Sequence, residues 1–341
     1  MTVKSRSIVL LLAFVMAASL GTGNAFAQKK KLRMASWLPP LHHMTASARA
    51  WADTVEKASG GTLEIDVLKT GLGKPPAQYD LTKNNIVDLA YGVAGYTPGR
   101  FPAFQMMELP FFAPDAEAGS AALWDWYTRN GLHLKEMGDV KLISAFVHGP
   151  GVLHSKSKIT KLEDLKGLKT RVGGGGVEMG KRLGAVPVPM SATKNYESLQ
   201  KGTTTATFLP WESVKGFNIA ELVKYHLEIP GGLYTTSFFV SMSPKTWESL
   251  SAKQKKAFEE AGGLNGSRFL GNRWAMADKE GLKAAKDAGN SVSTLSESEV
   301  KRWAEKLEFM EPDWIAKVNE KGLDGKALLA DLKKTLTKYS K

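Results

Sequence analysis

Leu168-Lys169-Thr170-Arg171-Val172-Gly173-Gly174-Gly175-Gly176-Val177-Glu178-Met179-Gly180-Lys181 joins a strand, a turn and a helix start in one short stretch. Leu168 to Val172 reads as a strand, the four glycines break it, and a helical segment opens directly behind them. That unit builds α/β sheets, whose ligands sit at the carboxyl ends of strands. Arg171 lies near the end of this strand, beside glycines whose backbone N–H groups can approach an anion closely. A guanidinium matches a carboxylate with two parallel hydrogen bonds. Arg171 with Gly173 is therefore an expected anion clamp.

The alternation continues on both sides. Leu32–Ala35, Leu63–Val67, Val87–Gly92, Lys141–Val147, Val186–Pro189, Ala206–Leu209 and Phe238–Met242 read as strands. Ala46–Lys57, Gln78–Lys83 and Ala116–Glu136 read as helices between them. The C-terminal third is predicted to be mostly helical, over Pro244–Ala261, over Gly266–Ala288, and from a capping box of Ser296 and Glu299. The class is α/β with a helical tail. No repeat of 20 to 50 residues and no low-complexity linker divides it, which excludes solenoids and flexibly tethered domains.

The 341 residues are 43% hydrophobic and 23% charged, with nine Trp and no Cys. Disorder and disulfide stapling are excluded, and the length suits two lobes. Residues 1–27 have the form of a cleaved signal peptide: basic Lys4 and Arg6, an apolar run Ile8–Leu20, and the small-x-small triplet Ala25-Phe26-Ala27. The mature chain has no further apolar stretch of membrane length, so it is expected in the periplasm without membrane insertion. Losing Lys4 and Arg6 lowers the formal charge from +12 to +10, which favours an anionic ligand at long range. The Lys residues are interspersed with acids, as in Lys253–Glu260, so no nucleic-acid partner is expected.

Absence of Cys removes thiol catalysis and thiolate metal sites. The six His show no i, i+4 pair, and the neighbours His42 and His43 are expected to point apart, so no metal is predicted. Gly175 to Lys181 has the glycine and lysine spacing of a phosphate loop, but Arg182 stands where a Ser or Thr should bind magnesium. No cofactor and no catalytic residue are assigned. A secreted hydrolase using two of Glu108, Glu178 and Glu212 is the alternative, and it requires a pair across one cleft. The second candidate cluster is aromatic: Trp37 before Pro39-Pro40, and Phe208, Pro210 and Trp211 at a strand end before Glu212.

The opening Leu32-Arg33-Met34-Ala35-Ser36-Trp37, the turn Gly71-Leu72-Gly73, the run Leu162 to Val172 and Tyr196-Glu197-Ser198-Leu199-Gln200-Lys201-Gly202 resemble the DctP family, the extracytoplasmic solute-binding proteins of TRAP transporters. The resemblance spans nearly the whole mature chain, and Asp164-Leu165-Lys166-Gly167-Leu168-Lys169-Thr170-Arg171-Val172 is its most specific part. It implies a two-lobed periplasmic-binding-protein-like fold with mixed sheets, crossover strands and a long linking helix. Lobe I would be 28–149 plus 236–277 and lobe II 150–235 plus 278–341, with crossovers near Gly149, Thr236 and Asp278.

The resemblance also implies a monomer that closes on an organic acid, pairs its carboxylate with Arg171 and presents it to membrane permease subunits. Thr205-Ala206-Thr207 departs from the family's Val-Asp-Gly. Gly151 and Leu209 stand where sialic-acid members carry an Arg and an Asn. The expected ligand is thus a monocarboxylate with an aromatic or hydroxylated aliphatic body, against Trp37, Phe208, Leu209 and Trp211. Glu212, Tyr234 and Thr235 or Thr236 would meet its hydroxyls, and His43, Tyr79, Tyr96 and Gly151 complete the expected site.

Overall fold

Strand β1 (Lys30–Ala35) opens a sheet that also takes β2 (Leu63–Val67), β3 (Leu89–Val93) and β4 (Lys141–Val147). A second sheet takes β5 (Val152–Ser155), β6 (Lys169–Val172), β7 (Val186–Pro189), β8 (Ala206–Leu209) and β9 (Tyr225–Glu228). β10 (Ser237–Met242) then returns to the first sheet, and β11 (Ser291–Thr294) to the edge of the second. The computed structural model describes residues 29–69, 71–112 and 115–340; the expected signal segment lies outside them. Among the described residues, no helix is long and apolar enough to cross a membrane.

Spatial order in the first sheet is β2-β1-β3-β10-β4, and in the second β11-β9-β5-β8-β6-β7. Both are mixed: β10 runs antiparallel to β3 and β4, and β5 antiparallel to β8 and β9. β3 and β10 are buried along their whole length, as strands covered on both faces must be. β2 instead alternates between buried and half-buried residues, the period two that its sequence shows. The two sheets define two lobes. The chain crosses between them at 148–151 and at 229–236, then along the helix Gly263–Asp287.

That helix is smooth where it must be. A Cβ on Gly271 would meet Ser120 Oγ at 2.5 Å in the first lobe, and one on Gly281 would overlap the Trp211 carbonyl oxygen in the second. Two glycines let one rod lie flush against both lobes.

Several expectations are corrected. The tail 278–341 does not all belong to the second lobe: Trp303 and Leu307 pack with Leu153 and Phe208, whereas Trp314, Val318, Leu329 and Leu332 pack with Trp126 and Leu142 of the first. The apolar stripe of the last helix, Gly325–Tyr339, finds its complement on helix Ala116–Arg129. The single helix expected over Ala116–Glu136 is two, because Gly131 takes a left-handed φ of 66°. Pro244–Ala261 likewise splits, since Ser251 and Gln254 form a capping box that starts a new helix at Ala252. Ser296 caps its helix, but the Glu299 carboxylate turns to the Leu162 N–H at 2.8 Å instead of closing a box. β5, β9 and β11 are additional to the expected strands; His154 and His226 are buried in β5 and β9, where a pattern of apolar residues does not reveal them.

Candidate functional site

β6 ends at Val172, and Gly173 to Gly175 turn the chain into helix Gly176–Arg182 at the junction of the lobes. Inside that junction lies a cavity where the space open to the centre of a water molecule is about 40 Å³. One water needs roughly 10–15 Å³ of such space, so the closed cavity suits a small solute. Arg171 and Glu212 supply charge to its lining, Trp37, Tyr96 and Trp274 supply rings, and Tyr234 supplies both a ring and a hydroxyl.

Arg171 is 2% exposed. Its Nε and Nη2 donate to the Met190 carbonyl at 3.1 and 2.7 Å, and its Nη1 donates to the Phe208 carbonyl at 3.3 Å. A guanidinium has five N–H donors, so one remains on each Nη. Among the described residues, no carboxylate lies within 4.0 Å of it. A buried cation neutralised only by carbonyl dipoles is costly until an anion joins it. Gly173 makes the room: a Cβ there would stand 2.8 Å from Arg171 Nη2 and 3.5 Å from the Tyr96 ring.

The walls come from both lobes. Trp37 packs edge-on to Tyr96 with centroids 5.9 Å apart, and its indole Nε1 has no hydrogen-bond partner. The Tyr96 hydroxyl accepts the Ala192 N–H of the other lobe at 3.0 Å. Tyr234 donates its hydroxyl to the Phe208 carbonyl at 2.9 Å, and burial pushes its pKa up. Glu212 is 4% exposed, anchored by its backbone N–H to Asp278 Oδ1 at 2.8 Å. Burial raises the Glu212 carboxyl, and the imidazoles of His43 and His42 outweigh that, holding it below its ordinary value. Burial pushes His42 and His148 down to about 4, so both are neutral near pH 7. The cavity lining thus carries one guanidinium, Arg171, and one carboxylate, Glu212.

Leu209, Gly173 and Thr236 also line the cavity. Phe208 does not: successive residues of a strand face opposite ways, and its ring joins Leu153, Val172 and Trp303 in the second lobe's core, offering the site only its carbonyl. Trp211 donates Nε1 to Glu228 at 3.0 Å and packs on His154 and His226, away from the cavity. Tyr79 lies in the first lobe's core against Phe101, with Arg100 over its ring. Gly151 acts indirectly, since a Cβ there would strike the Tyr234 ring at 2.5 Å. His43 faces a solvent groove behind the cavity wall, and His42 takes its place in the lining. Phe217, Phe238, His148 and Trp274 were not anticipated. They are far apart in sequence, and only the crossings bring them together.

Among the described residues, the carboxylate pair a hydrolase requires is not brought together in this cavity. Glu108 accepts the Gly175 N–H at 3.0 Å at the lobe junction, Glu178 pairs with Arg182 at the surface, and only Glu212 of the three reaches the cavity.

Comparison with known proteins agrees with this architecture. The family model for bacterial extracellular solute-binding proteins of family 7, DctP, matches residues 34–316. A TRAP solute-binding protein from Rhodoferax ferrireducens T118, crystallised in complex with copurified benzoate, is similar with a TM-score of 0.86 and 33% identity, covering 91% of this chain and 98% of that one. A marine metagenome TRAP protein specific for aromatic acid ligands, in complex with 3-hydroxybenzoate, gives 0.86 and 34%, covering 92% and 100%. TsaT of Comamonas testosteroni, named as an outer membrane transporter protein, is 26% identical over 310 residues, 89% of this chain and 90% of the relative. This chain belongs to the DctP family of bacterial extracellular solute-binding proteins, family 7.

Proposed function

We propose that this protein is a periplasmic receptor for a small aromatic monocarboxylate with a hydrogen-bond donor on its ring, which it hands unchanged to membrane permease subunits while acting as a monomer. One observation carries the reading: Arg171 is a buried, pre-positioned guanidinium with free donors and, among the described residues, no carboxylate beside it. The ligand carboxylate takes the two remaining N–H groups. Trp37, Tyr96, Phe238 and Trp274 enclose the ring, and the far end meets Glu212, which accepts from a hydroxyl and repels a second carboxylate. The Rhodoferax and marine relatives, which hold benzoate and 3-hydroxybenzoate, support an aromatic acid. Binding stabilises the closed state because contacts from both lobes exist together only when it is closed.

Calorimetric titration with benzoate, 3-hydroxybenzoate, mandelate, pyroglutamate and succinate tests this. The hydroxylated aromatic acid should bind tightest and be recovered intact. Removing one partner of a buried ion pair costs roughly 3–5 kcal/mol. Arg171→Ala should therefore weaken binding by at least about a hundredfold, and Lys should not restore it, because an ammonium lacks the planar fork that bonds Met190 and Phe208 while presenting two parallel N–H groups to the carboxylate. Unchanged affinity in Arg171→Ala, or a preference for succinate, would overturn the reading.

A further inference from the structure

We propose that His42, His43 and Glu212 form a three-ligand site for a divalent transition-metal ion of the zinc class, and that this ion clasps the two lobes together. His42 and His43 stand at the start of the first-lobe helix His43–Ala58, and Glu212 starts the helix that follows β8 in the second lobe. Contrary to the expectation that neighbouring histidines diverge, the chain at His42 is still extended, and both rings converge on one oxygen. His42 Nε2 is 3.5 Å and His43 Nε2 3.2 Å from Glu212 Oε2, and the three donor atoms lie within 4.8 Å of one another.

A tetrahedral shell with bonds of about 2.1 Å has ligand-to-ligand edges of about 3.4 Å. Two of the three edges already have that length. Two imidazoles and a carboxylate are a donor set that zinc uses where it keeps a fourth position open. His42 is 3% and Glu212 4% exposed, yet His42 Nε2 and Glu212 Oε2 lack a well-formed hydrogen bond, as do both ring nitrogens of His43. Buried polar atoms in that condition are normally satisfied by something. Ligation moves the His42 ring proton to Nδ1, which gives up the 3.2 Å cap on the Met44 N–H. An ion reaches the cluster from a solvent groove that His43, Arg273, Lys215 and Glu280 share, with Lys215 neutralised by Glu280 at 2.7 Å.

The test uses untagged, chelator-treated protein without any organic acid, so its outcome is independent of the ligand assignment. Zinc and cobalt are titrated by calorimetry, cobalt also by visible absorption, and lobe closure is followed by small-angle scattering. One ion should bind with micromolar or better affinity, cobalt should develop the intense band of tetrahedral coordination, and the radius of gyration should fall. His43→Ala, whose side chain makes no hydrogen bond through its ring, and Glu212→Gln should each weaken binding at least about tenfold. No saturable binding below about 100 μM, or binding unchanged in both variants, overturns the proposal.

Discussion

Three bonds to carbonyl oxygens hold the Arg171 guanidinium in position with no acidic side chain among the described residues beside it, so under the proposed function its two remaining N–H groups are oriented for a carboxylate. Pre-set donors spare the ligand the cost of ordering a long side chain. Gly173 belongs to the same device. Gly173→Ala should fold normally, since the glycine has no left-handed φ, but its methyl would press on Arg171 Nη2 at 2.8 Å. Affinity for the acid should fall roughly tenfold, about 1.4 kcal/mol, with the thermal midpoint of the free protein nearly unchanged. Calorimetry paired with thermal unfolding separates the two effects. Arg171 and Gly173 were legible because strand, glycine turn and helix are contiguous there. Phe208 and Trp211 were misplaced because composition near a strand end says nothing about which face each residue takes; the one-residue step from Leu209 to Phe208 moves a side chain from cavity to core.

Among the elements, the helix Gly263–Asp287 does what no strand can, touching both lobes along one rigid axis. Its place is legible within a few residues, as are the strands whose apolar residues alternate, like β2, or run on continuously, like β3 and β10. The helix breaks at Gly131 and Ser251 leave no such pattern, being decided by a single φ and a single cap. Phe217, Phe238 and Trp274 entered the site only through topology, which local patterns do not encode. Gly281 tests the role of the long helix. A methyl there collides with backbone at Trp211, which cannot rotate away. Overpacking typically costs about 1–3 kcal/mol. Gly281→Ala should lower stability by that amount in urea titrations and, by shifting Glu212, weaken ligand binding as well. Gly289→Ala would strain only a surface turn with φ 69° and should leave affinity intact.

At the scale of the whole molecule, closure brings a titratable group into play. Glu108 belongs to the first lobe, yet its Oε2 accepts the Gly175 N–H of the second at 3.0 Å, and Gly95 and Gly174 crowd it so closely that a Cβ on either would stand 2.6–2.8 Å away. Burial pushes its carboxyl up to about 7, against the lowering effect of the Gly175 N–H and Gln105. Glu178 and Asp313 share the adjoining groove with Lys317, Glu320 and Lys321, so nearby charges of both signs largely offset. Opening that separates Glu108 from Gly175 and admits water would return its carboxyl toward the ordinary value of about 4.3. The pKa is thus higher closed than open, and closing takes up a proton between these values. The favourable contribution to closure is complete below about pH 4.3 and is lost as pH rises through about 7. Ligand affinity should fall by up to about two orders of magnitude between pH 5 and 7.5 and then level off. Glu108→Gln, which stays neutral and keeps an acceptor for Gly175, should flatten the profile at the tight-binding level. Calorimetry with a ligand fully ionised across the range reads this directly: a profile that keeps its slope in Glu108→Gln would assign the pH dependence to another group, and a flat profile in the unmodified protein would mean that Glu108 does not change its surroundings when the lobes close.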